Sequence, residues 1–513
     1  MRKTVFILIL ITIISKICGF VRDIVLANFY GASNVSDVYL IATTIPMVIF
    51  AFIGKGIATS FIPTYAEIEA NEGEKEADIF TNKLSTLLLI ISSALILFGL
   101  VFTKQLVLAF ASGFDEETLK LGINFTRITL LGIYFTVFVH LYSAFLQFKD
   151  RFIAPAIIGF PMNIIIIISI WLGIKYSDYI LPVGSVIAII IQVLFLLPSL
   201  FNKDLNFKFH LNFRFNDKYI KKIIILAMPV ILGVAVNEIN VLVDRTLASR
   251  IIVGGISALN YSNKLNIFIQ SIFVISISTV IYPKISSIIN KRNTRGLKNI
   301  ISNSIDGVSL IVIPATVGII VFSEEIITVL FARGAFDKEA IELTSSALFF
   351  YSFGMLGNGL REILSRVFYS LQDTKTPMIN ASIGLVINIV LNIILSRYLG
   401  IGGLALATSI SSSVIMILML ISLERKIGSL GFMKNLISII KILVISLLMG
   451  LISKYIFIVM SIRINSTIAL ILSVLAGILI YGVMIYFARI NSVDEIFMLI
   501  RNRIVKKNDS DLL

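Results

Sequence analysis

The chain has 513 residues, of which 57% are apolar and 14% charged, with a net charge of +14. Soluble domains carry about 25% charged residues, and 37 Phe cannot be hidden in a water-soluble core of this size, so a soluble enzyme, a secreted disulfide scaffold and a disordered protein are all excluded. The single cysteine, Cys18, allows no internal disulfide and no thiolate zinc site, and two histidines, His140 and His210, leave metal catalysis almost no ligands.

In chain order, apolar runs bounded by polar clusters predict fourteen membrane-spanning helices. They lie near residues 5–29, 36–62, 82–103, 118–147, 153–174, 179–200, 220–250, 257–289, 299–322, 339–370, 377–397, 402–423, 437–459 and 466–488. The first follows Arg2-Lys3, and Lys16 stands where a signal peptide would carry its small-residue cleavage site, so this segment reads as a retained helix. An even number of spans puts both termini on one side. The loops after even-numbered spans are basic: Lys203, Lys208, Arg214, Lys218, Lys221 and Lys222 after span 6, and Lys284, Lys291, Arg292, Arg295 and Lys298 after span 8. The tail adds Arg501, Arg503, Lys506 and Lys507, while the opposite loops are poorer, with Arg250 after span 7, Arg397 after span 11 and nothing between Tyr30 and Asp37. By the positive-inside rule both termini are cytoplasmic, and much of the net charge is accounted for without nucleic acid. The acidic stretch Glu67 to Asp78 counts little in that rule.

The chain repeats itself at a shift of roughly 220–225 residues. Phe61-Ile62-Pro63 matches Ile281-Tyr282-Pro283, and Gly113-Phe114-Asp115 matches Ala335-Phe336-Asp337. Leu146-Gln147 with Pro155 beyond matches Leu371-Gln372 with Pro377 beyond, and Asn163 falls opposite Asn388. The shift covers six helices, an even number, so the halves have the same orientation and form a parallel repeat. Two six-helix bundles about a central cavity follow, with spans 13 and 14 outside the repeat. The domain expectation is 1–205 for the first lobe, 206–430 for the second and 431–513 for the last two helices and the tail.

An ionisable residue at mid-bilayer costs on the order of 2.5–3.5 kcal/mol on insertion scales, so it faces a cavity or a partner. Span 1 carries Lys16, Arg22 and Asp23, with Gly19 open to the approach of a helix or ligand; span 2 carries Asp37 and Lys55; span 8 carries Lys264. Lys16, Arg22, Lys55 and Lys264 read as a cationic cavity for a phosphate or pyrophosphate head group. The competing reading pairs Arg22 with Asp23 or Asp37 as a staple between helices. Span 7 has a polar stripe of Asn237, Asn240 and Asp244; Asn388 and Asn392 stand one turn apart on span 11, and Thr408 is on span 12. These oxygens could hold a sodium ion, although on the residues alone an interhelical hydrogen-bond network is the simpler reading. Span 10 carries Arg361, Glu362 and Arg366, of which Glu362 and Arg366 form a structural i,i+4 pair. His140 reads as a bundle histidine rather than a proton relay. No Walker motif, metal-ligand cluster or nucleophile–base arrangement is present, which points to a transporter driven by an ion gradient, the membrane potential or its substrate's gradient.

Ser15-Lys16-Ile17-Cys18-Gly19-Phe20-Val21-Arg22-Asp23, Phe29-Tyr30-Gly31-Ala32 and Ser36-Asp37 resemble the opening of the MurJ/MviN lipid II flippases. Pro314-Ala315-Thr316-Val317-Gly318, Phe331-Ala332-Arg333-Gly334-Ala335-Phe336 and Gly403-Leu404-Ala405-Leu406-Ala407-Thr408-Ser409 are similar to that family as well. The most specific stretch runs from Leu364 to Pro377, through Gln372-Asp373-Thr374-Lys375-Thr376. The resemblance extends from the first helix to about residue 425. It implies an all-α polytopic protein of the multidrug/oligosaccharidyl-lipid/polysaccharide exporter superfamily: two six-helix lobes in a V, plus two C-terminal helices forming a groove for the undecaprenyl tail. The implied function is to flip undecaprenyl-diphosphate-linked disaccharide pentapeptide (lipid II) from the inner to the outer leaflet of the bacterial cytoplasmic membrane, for peptidoglycan synthesis. Cell-wall synthesis proteins are the implied partners.

By the same resemblance the substrate-binding residues are Lys16, Arg22 and Lys264, with Asp23, Asp37 and Asn163 at cavity or gate positions. A sodium site maps onto Asp244, Asn388, Asn392, the Leu404 carbonyl and Thr408, making sodium the expected coupling ion and leaving no other cofactor. Three departures stand out. Phe50 and Ala51 occupy the place of an arginine pair on span 2, Lys55 falls where an acidic residue is common, and Asn392 stands at a position that can be Asp. Lys55 is therefore expected to supply the missing span-2 cation. The rival functions are a flippase for another polyprenyl-diphosphate glycan, a drug/cation antiporter, a polyprenyl-phosphate enzyme, or a non-catalytic scaffold of the wall-synthesis machinery. The cationic cavity argues against the antiporter, and the missing catalytic cluster argues against the enzyme.

Overall fold

The computed structural model describes residues 2–201, 209–213, 217–290 and 293–488, and all regular structure in them is helical. The helices are α1 (Arg2–Tyr30), α2 (Asn34–Glu72), α3 (Glu74–Val101), α4 (Thr103–Phe110), α5 (Glu116–Leu130), α6 (Gly132–Phe148), α7 (Ile153–Ile157), α8 (Gly159–Tyr176) and α9 (Ile180–Leu200). They continue as α10 (Lys218–Ile251), α11 (Gly255–Asn290), α12 (Thr294–Phe331), α13 (Lys338–Ser352), α14 (Met355–Ser370), α15 (Lys375–Ile427), α16 (Phe432–Ser461) and α17 (Ser466–Phe487). Every predicted span falls on helix. Among the described residues, nine helical stretches are long and apolar enough to cross a membrane, which makes this a multi-pass membrane protein.

Local geometry repeats at a shift of 222 residues. α5 and α13 coincide in both ends at that shift, and α6 and α14 coincide in their last residue. Asp115 caps α5 by accepting from the Thr118 N–H at 2.8 Å, and Asp337 accepts from the Ala340 N–H at 2.9 Å ahead of α13. Asp150 and Gln372, both at φ 57°, are the two non-glycine residues with positive φ among those described. Each ends its helix in the same way: Arg151 N–H donates to Leu146 O at 2.8 Å and Asp373 N–H to Phe368 O at 2.9 Å. This register corrects one sequence match. Leu146 pairs with Phe368, so Leu146-Gln147 and Leu371-Gln372 are three residues out of step; dipeptide identity misled where backbone geometry does not. The bends recur as well: Phe102 (φ −100°, ψ 20°) separates α3 from α4, and Phe322 (φ −119°, ψ 21°) breaks α12.

The chain divides into two compact units, Met1–Tyr261 with Phe331–Ala340, and Ser262–Leu330 with Ile341–Leu513. The break falls after Tyr261, and α10 is bound to α2 and α3 inside the first unit. Lys218 pairs with Glu72 at 2.6 Å, Lys222 with Glu67, and Lys83 with the α10 N-cap Asp217 at 2.6 Å. Lys149, at the end of α6, joins Glu69 and Glu74 at 2.7 Å each. The acidic stretch Glu67 to Asp78 thus meets lysines at the ends of α6 and α10. Beneath it lies an aromatic core in which Phe61, Tyr65, Phe80 and Phe145 are buried.

In the second unit, α15 contains two of the predicted spans and breaks between them at Gly400, whose φ of 56° and ψ of −131° only glycine adopts readily. Gly400→Ala is expected to destabilise the chain by about 1–3 kcal/mol; thermal unfolding in detergent checks this. The start of α15 explains part of the most specific sequence stretch. Asp373 accepts from the Thr376 N–H at 3.0 Å, the Thr376 hydroxyl at 2.7 Å and Lys426 at 2.7 Å. The Lys426 ammonium, and then the Thr376 N–H, hold its carboxyl down at about 2. Asp373→Ala should therefore cost about 1 kcal/mol as a lost cap, and Thr376→Ala less, since the backbone bond survives; the same unfolding measurement ranks the two.

Candidate functional site

The first unit brings three of the expected residues together. Arg22 on α1 donates from Nε (3.1 Å) and Nη2 (2.8 Å) to Asp23 Oδ1, and from Nη1 to Asn163 Oδ1 on α8 at 3.3 Å. Asn163 in turn donates to the Gly159 carbonyl at 2.8 Å, which fixes its amide so that the oxygen faces Arg22. A guanidinium has five N–H groups; three are engaged among the described residues, and the Arg22 side chain is 23% exposed, against 7% for Asp23. The arrangement is a held cation, braced by a buried carboxylate and an amide, with two N–H groups left for a ligand. The Arg22–Asp23 pair lies within α1, and the link between helices is the Arg22–Asn163 bond. Lys16 is exposed on the same helix, six residues and about 9 Å of rise away.

Close approach of α1 to α8 depends on Gly159 rather than on Gly19. A Cβ on Gly159 would lie 2.3 Å from Ser15 Oγ, whereas one on Gly19 would meet Asn163 at an ordinary 3.8 Å. Gly19→Ala is accordingly expected to change stability and transport by less than about 0.5 kcal/mol, measured by unfolding temperature and by growth on the variant alone.

Asp37, at the start of α2, is 1% exposed. Its oxygens accept from the Gly254 N–H at 2.9 Å, the Ser257 N–H at 2.7 Å and the Ser257 hydroxyl at 2.5 Å. Here it latches the α10–α11 turn onto the α1–α2 turn. Gly31 (φ 61°) and Gly254 (φ 78°) are the two tight points: a Cβ on Gly254 would lie 2.3 Å from Ala32 O, and one on Gly31 2.4 Å from Ala335 O. Arg245 joins the same junction through Ile256 O (2.9 Å) and Asn260 Oδ1 (3.1 Å). Sequence reading missed this role for Gly254 and Ser257, which belong to no span motif; the pair Gly31 and Gly254, one repeat length apart, was the available signal.

Lys55 lies on α2, and its side chain is outside those described. Phe50, which stands in place of an arginine, is buried and packs on the His140 ring at 5.3 Å between centroids. His140 itself is exposed rather than enclosed in the bundle. Lys264 is exposed on α11 in the second unit.

The residues of the sodium mapping fall in both units. In the second, Asn392 donates to Asn388 Oδ1 at 2.8 Å, Asn388 to Thr408 Oγ1 at 3.3 Å, and Thr408 to the Leu404 carbonyl at 3.1 Å. Asp244 is half-buried on α10 in the first unit, one turn beyond Asn240, whose buried Oδ1 meets no donor among the described residues. Neutral amide, hydroxyl and carbonyl oxygens suit a hard cation, so the donor set fits, although Asn388 Oδ1, Thr408 Oγ1 and the Leu404 carbonyl each already accept a hydrogen bond.

Compared with known proteins, residues 26–476 match the family described as "Lipid II flippase MurJ". The chain is 30% identical over 465 residues to a probable lipid II flippase MurJ of Buchnera aphidicola subsp. Baizongia pistaciae, covering 88% of this chain and 90% of that one. It is 31% identical over 422 residues to the Vibrio cholerae counterpart, covering 80% of each. Among solved structures it is similar to one described as "Lipid II flippase MurJ, inward closed conformation", with a TM-score of 0.80, 27% identity, and 93% and 98% of the two chains covered. It also resembles an inward-facing multidrug resistance MATE transporter of the MOP superfamily in fold, at a TM-score of 0.70 and 14% identity over 81% of this chain and 95% of that one.

Proposed function

The chain belongs to the MurJ lipid II flippase family, and from that premise we propose that it moves lipid II from the inner to the outer leaflet of the cytoplasmic membrane by alternating access. It is a transporter, not an enzyme. The observation that carries the reading is the braced Arg22 cation, partly accessible among apolar helices, with donors to spare. Arg22, Lys16 and Lys264 capture the pyrophosphate, with Lys55 as the further span-2 cation. Charge neutralisation lets the two halves rock together and reopen outward. The sugars ride in water while the undecaprenyl tail stays in lipid alongside α16 and α17. Both termini are cytoplasmic in this reading. The wall-synthesis proteins that supply and consume the precursor are its natural neighbours. Asp244, Asn388, Asn392, Thr408 and the Leu404 carbonyl would hold sodium as the coupling ion, which would supply a positive charge to their oxygens.

The test uses the purified chain in proteoliposomes with lipid II in the inner leaflet. Lipid II should become accessible outside at a rate that Arg22→Ala removes. Equal rates with and without the protein would reject the reading. Transport of an undecaprenyl-diphosphate glycan of different sugars, with lipid II left in place, would assign it another cargo.

A further inference from the structure

α14 presents Asn358, Arg361, Ser365 and Tyr369 at i, i+3, i+7 and i+11 on its accessible face, while Leu360, Ile363, Leu364, Val367 and Phe368 are buried on the other. α16, in the same unit, does the reverse: Ile440, Val444, Leu447 and Leu451 are exposed, as expected of a helix facing lipid. A polar accessible face on a membrane helix belongs to a water-filled cavity. Arg361 is half-buried on that face. Among the described residues its guanidinium donates to no acceptor; only its carbonyl is engaged, by the Ser365 hydroxyl at 2.8 Å. The neighbouring Glu362 is taken by Arg366, which donates to it from Nε at 3.2 Å and Nη2 at 3.0 Å. The sequence pairs Glu362 with Arg366 and leaves Arg361 unassigned, and the geometry keeps that division.

The geometry points to Arg361 as an anion contact for the diphosphate of the cargo, used before Lys264 as the substrate enters from the cytoplasmic side. This rests on the polyprenyl-diphosphate reading given above. Gln270 on α11 donates to Met355 O on α14 at 3.0 Å, which sets the two helices level at that point. Lys264 stands six residues before Gln270, and Arg361 six residues after Met355. Spans 8 and 10 run in the same direction by parity, so the two cations are about 18 Å apart along the helix axes. One diphosphate cannot bridge that distance, so the contacts act in succession. Arg361 lies nine residues before Ser370, on the side where the cytoplasmic loop follows. A bidentate fork suits a diphosphate oxygen pair better than an ammonium does.

The test measures binding of undecaprenyl diphosphate, without sugar or peptide, to the full chain in lipid nanodiscs. Arg361→Gln should bind at least about tenfold more weakly at an unchanged unfolding temperature, and Arg361→Lys should recover part of the loss. Wild-type affinity in Arg361→Gln, with binding lost in Arg22→Gln, would overturn the role of Arg361 alone. Wild-type affinity in both would overturn the diphosphate reading itself. A second measurement keeps Arg361 in place: Cys18→Ser/Ser365→Cys should react with a membrane-impermeant thiol reagent, more slowly when undecaprenyl diphosphate is present. Absence of labelling, or labelling at one rate with and without the lipid, would contradict the proposal even if Arg361→Gln failed to accumulate.

Discussion

Arg22→Ala is expected to abolish transport and to lower stability at the same time. Arg22 contributes three hydrogen bonds, two to Asp23 and one to Asn163. Asp23 is 5% exposed, so removing its partner leaves a buried carboxylate unpaired, a change that costs about 3–5 kcal/mol. The two effects separate in a double variant. Arg22→Ala/Asp23→Asn removes the orphaned charge and should recover most of the unfolding temperature, yet remain inactive, because the donors for the diphosphate are still missing. Arg22→Lys keeps the charge but loses the planar fork, and should retain partial transport. Growth on each variant as the sole copy, read beside thermal unfolding, distinguishes these outcomes. Full activity of the double variant would show that Arg22 serves only to neutralise Asp23.

The second large effect is expected at the latch. Asp37→Ala leaves the Gly254 N–H, the Ser257 N–H and the Ser257 hydroxyl without the acceptor they share. Each unmet buried donor costs about 1–3 kcal/mol, and partial relaxation brings the sum to about 3 kcal/mol or more. Asp37→Asn is no remedy, because one carboxylate oxygen becomes an N–H group facing donors. Ser257→Ala, which removes one of the three bonds, should cost about 1 kcal/mol. Unfolding temperatures should rank the variants in that order. A loss below about 1 kcal/mol for Asp37→Ala would mean that water or a shifted turn replaces the carboxylate.

Much of the fold was legible because the bilayer imposes one requirement on every span: a long apolar run with its backbone satisfied internally. That requirement made helix out of every predicted stretch. The bends were legible in part: Phe102, Phe322 and Gly400 fall at predicted span ends, where Thr103-Lys104, Ser323-Glu324-Glu325 and Arg397 interrupt the apolar pattern, but whether the helix bends or stops there is set by local geometry. The repeat was legible from short motifs, and the match of Asp115 with Asp337 already carries the 222-residue register; the turns at Asp150 and Gln372 give the same register through geometry that identity between residues does not encode. At the site, Arg22 and Asp23 were readable because charge in an apolar run is rare. The brace from Asn163 is 141 positions away in sequence, and its significance lay in the family resemblance. Two of the latch's three donors are backbone N–H groups, which leave no trace in the sequence, so the glycine pair Gly31 and Gly254 was its main signal. Arg361 was left unassigned, since Glu362 and Arg366 satisfy a familiar helical spacing and no charge of opposite sign stands three or four residues from Arg361.

The central claim, that a braced cation in the first unit carries a lipid diphosphate across the membrane, is tested most directly by depleting this protein in its own host and assaying which leaflet holds the lipid-linked wall precursor. The precursor should accumulate on the cytoplasmic face, and its exposure outside should return with the wild-type chain but not with Arg22→Ala. Normal exposure on the outer face after depletion, or full restoration by Arg22→Ala, would contradict the account.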